Sequence, residues 1–312
     1  MLISFVLPAY KSKFLKQAID SILDQTYSEI ELIIIDDNSP ENLYEIVSTY
    51  QDPRISYYKN EVNIGGKDLV AQWNKSIDYA KGDYLVLAAD DDLYHPEFTA
   101  NCIELIKKYP EVDILRARVS VINDAGDLLE IDGILAEKCS QMEYVYDWVK
   151  GIPFVCIGNY MFKTKVIQKE RFDSLPFAFG TDTISTVKLA RNGIANTSQL
   201  LFDFRVSDIH LSSDKTKYEH KIKAITHLYT MMRAIDYHQP KDEIEKLCLQ
   251  KIQWDTLYQK CVYDYYNVAV KNLPINKARC IENCELLSRK DKMIMYFRFF
   301  KDKLLRYLRG KS

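Results

Sequence analysis

The 312-residue chain has no surplus of basic charge, since 42 Lys and Arg stand against 44 Asp and Glu for a formal net charge of −2. General nucleic-acid binders carry a basic excess, so no nucleic-acid partner is expected. A disulfide framework is also missing. The seven cysteines are an odd number at scattered positions, and Cys280 and Cys284 are spaced for one face of a helix rather than for a zinc knuckle. Reduced thiols in a cytoplasmic protein are the expectation. No apolar stretch approaches the length of a membrane span, and the run Met1 to Pro8 has no basic leader and so does not read as a secretory signal. The Gly-x-x-x-x-Gly-Lys-Ser/Thr spacing of a P-loop and the Gly-x-Gly-x-x-Gly dinucleotide fingerprint are both absent, which counts against ATPases and dehydrogenases. There is no internal repeat or low-complexity stretch.

Ordinary globular material is present: 47% of the residues are hydrophobic, enough for one large domain and a smaller appendage. Strand and helix patterns alternate through the first part. Leu2 to Leu7, Ile30 to Ile35, Ile55 to Tyr58, Tyr84 to Ala89, Asp113 to Ile122 and Leu200 to Val206 read as strands. Phe14 to Gln25 and Lys67 to Ala80 read as helices, and Ser39-Pro40-Glu41 as a helix start. Such alternation requires crossovers, so an α/β fold with a mostly parallel sheet flanked by helices is predicted. Past about residue 215 the pattern turns helical, which divides the chain into 1–212 and a helical extension, 213–312.

Two of the predicted strands end in acids. Asp36-Asp37 closes Ile30 to Ile35, and Asp90-Asp91-Asp92 closes the run from Tyr84. Strands of this kind deliver charge to the carboxyl edge of a sheet, where open α/β folds bind ligands. Adjacent carboxylates repel each other and lose solvation when crowded, so a hard divalent cation with oxygen ligands, and through it a phosphate compound, is the indicated occupant. Capping of the helix near Pro96 is the plainer alternative. Pro8-Ala9-Tyr10 ends the first strand with an aromatic that would either stack on a base or pack inside the protein. Asn63-Ile64-Gly65-Gly66-Lys67 would place backbone N–H groups and the Lys67 ammonium near an anion.

Taken in order, Pro8-Ala9-Tyr10, Leu15 to Tyr27, Glu31 to Ser39, Trp73 to Ile77, Ala80 to Tyr84 and Asp90-Asp91-Asp92 through Pro96 resemble the family-two glycosyltransferases of GT-A fold. The resemblance is firm over roughly residues 1 to 110 and extends to about 210. It implies that 1–212 is a nucleotide-sugar-binding catalytic domain. Pro8, Ala9 and Tyr10 would line the base pocket, and Asp37 would bind uracil or its equivalent. Asp91 would hold Mn2+ or Mg2+, with Asp90 or Asp92 on the ribose or a metal-bound water. The segment Phe179-Gly180-Thr181-Asp182, ahead of a helix expected over Thr183 to Arg191, resembles the family's Glu-Asp motif with Thr181 in place of the glutamate, and makes Asp182 the candidate catalytic base. After Phe204-Arg205-Val206, His210 is the candidate for the metal or diphosphate, with an ordinary surface histidine as the alternative.

The implied activity is inverting, metal-dependent transfer from a nucleotide sugar, with a UDP-sugar as first choice, to a glycan or lipid-linked acceptor in bacterial surface polysaccharide synthesis. A nucleotidyltransferase, or a silent nucleotide-sugar-binding module of the same fold, is the alternative. The segment from Arg289 to Lys311 interleaves nine basic residues with Met293, Phe297, Phe299, Phe300, Leu304 and Leu308. It fits a basic amphipathic helix on an anionic membrane surface, on the inner face, or a terminal helix packed on the protein itself.

Overall fold

The apolar runs that end in acids form the middle of a curled sheet. The computed structural model describes residues 1–207 and 215–309. Its first part alternates as β1 (Ile3–Ala9), α1 (Leu15–Leu23), β2 (Ile30–Asp36), α2 (Leu43–Val47), β3 (Ile55–Lys59), α3 (Leu69–Ser76) and β4 (Tyr84–Leu87). There follow β5 (Leu93–Tyr94), α4 (Phe98–Lys108), β6 (Ile114–Ile122), β7 (Leu128–Ile131), β8 (Lys138–Cys139) and α5 (Gln141–Val149). Then come β9 (Tyr160–Lys163), α6 (Thr164–Glu170), α7 (Thr181–Leu189) and β10 (Ile194–Arg205). Beyond these lie α8 (Tyr218–Arg233), α9 (Glu243–Lys251), α10 (Trp254–Asp264) and α11 (Arg289–Arg309).

The sheet order is β3-β2-β1-β4-β9-β6-β10-β5. From β3 to β4 all pairings are parallel, with Ile3 opposite both Ile30 and Tyr84. Beyond β4 the sheet is mixed: β9 runs antiparallel to both β4 and β6, while β10 is parallel to β6. Alternation along β1 sorts residues between two cores. Ile3, Phe5, Leu7 and Ala9 pack with α1 and α4, whereas Val6 joins the core beneath α3, α5 and α7. Ile222, Ile225, Leu228 and Tyr229 of α8 and Leu257 and Cys261 of α10 continue this second core. Each fully buried aliphatic side chain contributes about 1.5–3 kcal/mol, so these helices hold the sheet's second face firmly.

Some boundaries differ from expectation for local reasons. The helix foreseen over Lys67 to Ala80 starts at Leu69, because the Asp68 side chain caps it by accepting from the Ala71 N–H at 3.0 Å, and it tightens to a 3-10 turn at Ile77–Tyr79. The last strand begins at Ile194 instead of Leu200: Ile194 and Ala195 pair with β8, and a register shift between Asn196 and Leu200 joins the two stretches. The helix foreseen from Thr183 begins at Thr181, behind Gly180 at φ 85°.

Candidate active site

Because β1, β2 and β4 are parallel neighbours, their carboxyl ends reach one edge together, and the acids arrive there with them. The two aspartates after β2 have different tasks. Asp36 is sealed into the fold: its Oδ1 accepts from the Ser39 N–H at 2.7 Å, and its Oδ2 from the Tyr57 hydroxyl at 2.6 Å, with Lys59 Nζ at 3.4 Å. Asp37 organises the loop ahead of α3. Its Oδ1 accepts from Asn60 Nδ2 at 2.7 Å and the Ile64 N–H at 2.9 Å, and its Oδ2 from the Gly65 N–H at 2.6 Å. A Cβ on Gly65 would sit 2.9 Å from that Oδ2, so the absent side chain is what lets the backbone close on the carboxylate. Asn60 extends the network, donating to Gln72 Oε1 at 2.9 Å and accepting from Lys75 Nζ at 2.6 Å.

The three acids after β4 separate in the same way. Asp90 Oδ2 accepts from the N–H groups of Tyr10 and Lys11, both at 2.8 Å, and so fixes the turn that leaves β1. Burial, and then the neighbouring Asp91 charge, push the Asp90 carboxyl up to about 6. Asp92 is 3% exposed and its Oδ1 accepts from the Arg205 N–H at 2.9 Å, tying the loop to the end of β10. Burial and the Asp91 charge raise its carboxyl well above the usual range. Asp91 differs from both. Apart from its own backbone N–H, its carboxylate takes no hydrogen bond among the described residues, and burial raises it against the opposing pull of Lys11 and Arg205.

Asp182 lies in the first turn of α7, where its Oδ1 accepts from the Thr183 N–H at 2.8 Å. Burial pushes its carboxyl up to about 6. The approach to it is strained: Phe177 and Ala178 adopt φ of 55° and 58°, before Gly180, conformations that cost roughly 1–3 kcal/mol each in a non-glycine residue. Cys156 is buried, and its Sγ donates to Asn159 Oδ1 at 3.6 Å. Its buried thiol is raised by desolvation first and then by the charges of Asp92 and Asp182.

The remaining candidates are placed as follows. Pro8 and Ala9 close β1 opposite Ile35 and Asp36. Tyr10 keeps 39% of its surface exposed. Lys67 is exposed beside the Asp37 loop, its N–H bonded to the Ile64 carbonyl at 3.0 Å. His210 lies outside the described residues. The sequence assigned no task to Arg205, which is 1% exposed and clamps the acidic turn. Its Nε donates to the Asp91 carbonyl at 2.9 Å, its Nη1 to the carbonyls of Asn123 and Asp124 at 3.1 Å, and its Nη2 to Gln17 Oε1 at 2.9 Å. The guanidinium also lies 4.2 Å over the Phe14 ring. An arginine ending an apolar strand was the available signal.

No cluster of three or more His, Cys, Asp or Glu side chains suited to a metal occurs among the described residues. The arrangement still fits a divalent ion that arrives with its substrate. Magnesium-type sites take one or two protein carboxylates and fill their shell with waters and phosphate oxygens, and Asp91 offers a desolvated carboxylate with no donor from a neighbouring residue among the described ones.

Comparison with known proteins agrees with this geometry. Residues 4–180 match the model of glycosyl transferase family 2. The glycosyltransferase GlyG of Streptococcus pneumoniae is 39% identical over 192 residues, covering 57% of this chain and 60% of that protein. An uncharacterized glycosyltransferase of Methanocaldococcus jannaschii is 29% identical over 55% of this chain and 59% of its own. The chain thus spans about 60% of the length of each. Among solved structures, S. aureus TarS 1-349 in complex with UDP superposes with a TM-score of 0.65 at 16% identity, over 90% of this chain and 78% of that one. The mannosyltransferase PcManGT of Pyrobaculum calidifontis, in complex with GDP-Man and Mn2+, gives 0.53 at 12% identity over 99% and 88%. These likenesses show a shared fold, and the matched model, spanning more than half of the residues and both acid-ended strands, shows that the chain belongs to glycosyl transferase family 2.

Proposed function

We propose that this chain is an inverting, divalent-metal-dependent glycosyltransferase that moves a sugar from a nucleotide-sugar donor, a UDP-sugar by preference, to a hydroxyl of a glycan or lipid-linked acceptor. The observation that carries the reading is the division of labour among the carboxylates. Asp37, Asp90 and Asp92 accept backbone N–H groups that shape the site, Asp91 accepts from no neighbouring residue among the described ones, and Asp182 has a carboxyl pushed up to about 6. The UDP in the TarS complex supports the donor class. The putative colanic acid biosynthesis glycosyl transferase WcaA of Escherichia coli, 40% identical over 98 residues covering 30% of this chain and 34% of its own, supports a role in surface polysaccharide synthesis. Work on a lipid-linked acceptor would place the protein on the inner face of a membrane.

In this reading the loop held by Asp37 and the ring of Tyr10 receive the base, and Lys67 stands beside that loop for a phosphate. Asp91 would hold Mn2+ or Mg2+, which when bound supplies charge neutralisation to the departing diphosphate. Arg205 keeps the Asp91 backbone in place through its Nε hydrogen bond. Asp182 takes the proton from the acceptor hydroxyl as that oxygen attacks the anomeric carbon from the face opposite the leaving group, which inverts the configuration. A carboxyl near 6 is mostly ionised at neutral pH and is a stronger base than an ordinary aspartate. The test is Asp182→Asn. It should lower the transfer rate by about 10²-fold or more and keep the donor dissociation constant, and the parent's product should carry the inverted anomer. A near-normal rate would remove Asp182 from the reaction, and a retained anomer would overturn single displacement.

A further inference from the structure

Helix α11 packs on the rest of the protein along one narrow line, where Met295 and Phe299 are 3% and 0% exposed. Both of the helix's acids turn toward that line. Asp291 accepts from the Tyr258 hydroxyl at 2.5 Å and from Ser288 Oγ, and Asp302 from the Tyr266 hydroxyl at 2.6 Å. Arg298 is drawn to the same side, 3.8 Å over the Tyr266 ring, and Lys292 donates to the Glu282 carbonyl at 2.9 Å.

The opposite face has another character. Met293, Phe297, Phe300, Leu304 and Leu308 follow one another at steps of three and four residues, which stacks them in a single stripe along a helix. They are between 49% and 74% exposed. Arg289, Lys290 and Lys301 border the stripe and are exposed too, and no acid of the helix shares that side, since Asp291 and Asp302 are its only two. We infer that this stripe is the docking face for an anionic phospholipid bilayer, with Phe297, Phe300 and Leu304 entering the boundary between headgroups and acyl chains and the basic border meeting lipid phosphates.

Charge selects this occupant over a second copy of the chain. Two such stripes could interdigitate, but helix pairs choose partners through opposite charges at the flanks of the seam. Here each copy would bring only cations to both flanks. No described helix is long and apolar enough to cross a membrane, so the contact is one of lying on the surface. The inference deepens the proposal that the protein works beside a membrane. It is read out without donor or acceptor, so its failure is distinguishable from failure of the transfer reading.

The experiment is co-sedimentation of the full chain with phosphatidylcholine vesicles, pure or with about one third phosphatidylglycerol. Because Met295 and Phe299 are core residues, point changes on the outer face serve better than deletion of the helix. Binding is expected to the mixed vesicles and not to the pure ones. Phe297→Ser with Leu304→Ser, and separately Lys290→Glu with Lys301→Glu, should each lower the partition coefficient about tenfold or more with the melting temperature unchanged. No binding by the parent, equal binding to both vesicles, or full binding by the serine variant would overturn the inference. So would a dimer of the free protein, seen by sedimentation velocity, that Phe297→Ser abolishes.

Discussion

Asp182 makes a demand on pH that an ordinary aspartate does not. Its carboxyl is pushed up from 3.8 to about 6 by burial. A group at 6 is about 10% ionised at pH 5 and about 90% at pH 7, whereas one at 3.8 is more than about 90% ionised at both. If the ionised carboxylate takes the acceptor's proton, kcat at saturating donor, acceptor and metal should fall roughly tenfold from pH 7 to pH 5. Asp90 is also raised to about 6, so the limb has to be assigned. Asp90→Asn keeps a carbonyl oxygen for the Tyr10 and Lys11 N–H groups and should retain the limb, while the residual rate of Asp182→Asn should be flat. Stability moves the other way. A carboxyl whose pKa is raised by folding contributes stability fully present below its unfolded value near 3.9, and this is lost as pH rises through 6. The ionised base therefore costs the folded protein about 1–3 kcal/mol at pH 7, and Asp182→Asn should raise the melting temperature there. A flat parental profile between pH 5 and 7, or an asparagine variant less stable than the parent at pH 7, would refute the reasoning.

Two further substitutions test the groups that shape the site. Asp37→Ala strands the Ile64 and Gly65 N–H groups and the Asn60 amide, at about 1–3 kcal/mol for each buried group left unsatisfied. Denaturant unfolding should show a loss of that order, and calorimetry should show donor affinity falling with it. Arg205→Met keeps much of the apolar stem but removes the hydrogen bonds to Asp91, Asn123, Asp124 and Gln17. About 3 kcal/mol of stability should be lost, and the metal concentration for half-maximal activity should rise. An unchanged metal requirement would deny Arg205 its positioning task.

The parallel half of the fold was legible because β1, β2 and β4 are apolar runs of strand length, and two of them end in acids. The mixed half was not. β5 and β8 have two residues each and β9 four, too few to show a period, and β9 takes its place between β4 and β6 through pairings distant in sequence. The acids themselves were legible as a group but not as individuals. Asp36 and Asp37 look alike on the page, yet one is sealed by Ser39 and Tyr57 and the other organises residues 60–65. Asp90 and Asp92 diverge because side chains at a turn point different ways, one toward the N–H groups after β1 and the other toward the Arg205 N–H, while the Asp91 carboxylate accepts from no neighbouring residue among the described ones. Arg205 went unassigned since its partners lie at Gln17, Asp91 and Asn123–Asp124, which only the folded chain brings together.

The central claim, that Asp91 serves the departure of a nucleoside diphosphate, is met most directly by one measurement. Purified protein and its Asp91→Asn variant are given a panel of nucleotide sugars, with Mn2+ or Mg2+ and with chelator, and nucleoside diphosphate release is recorded. The account requires release from at least one donor by the parent with metal, and none above background from the parent with chelator or from Asp91→Asn with metal, although the variant melts cooperatively. Release by Asp91→Asn at the parental rate, or parental release undiminished by chelator, would contradict it.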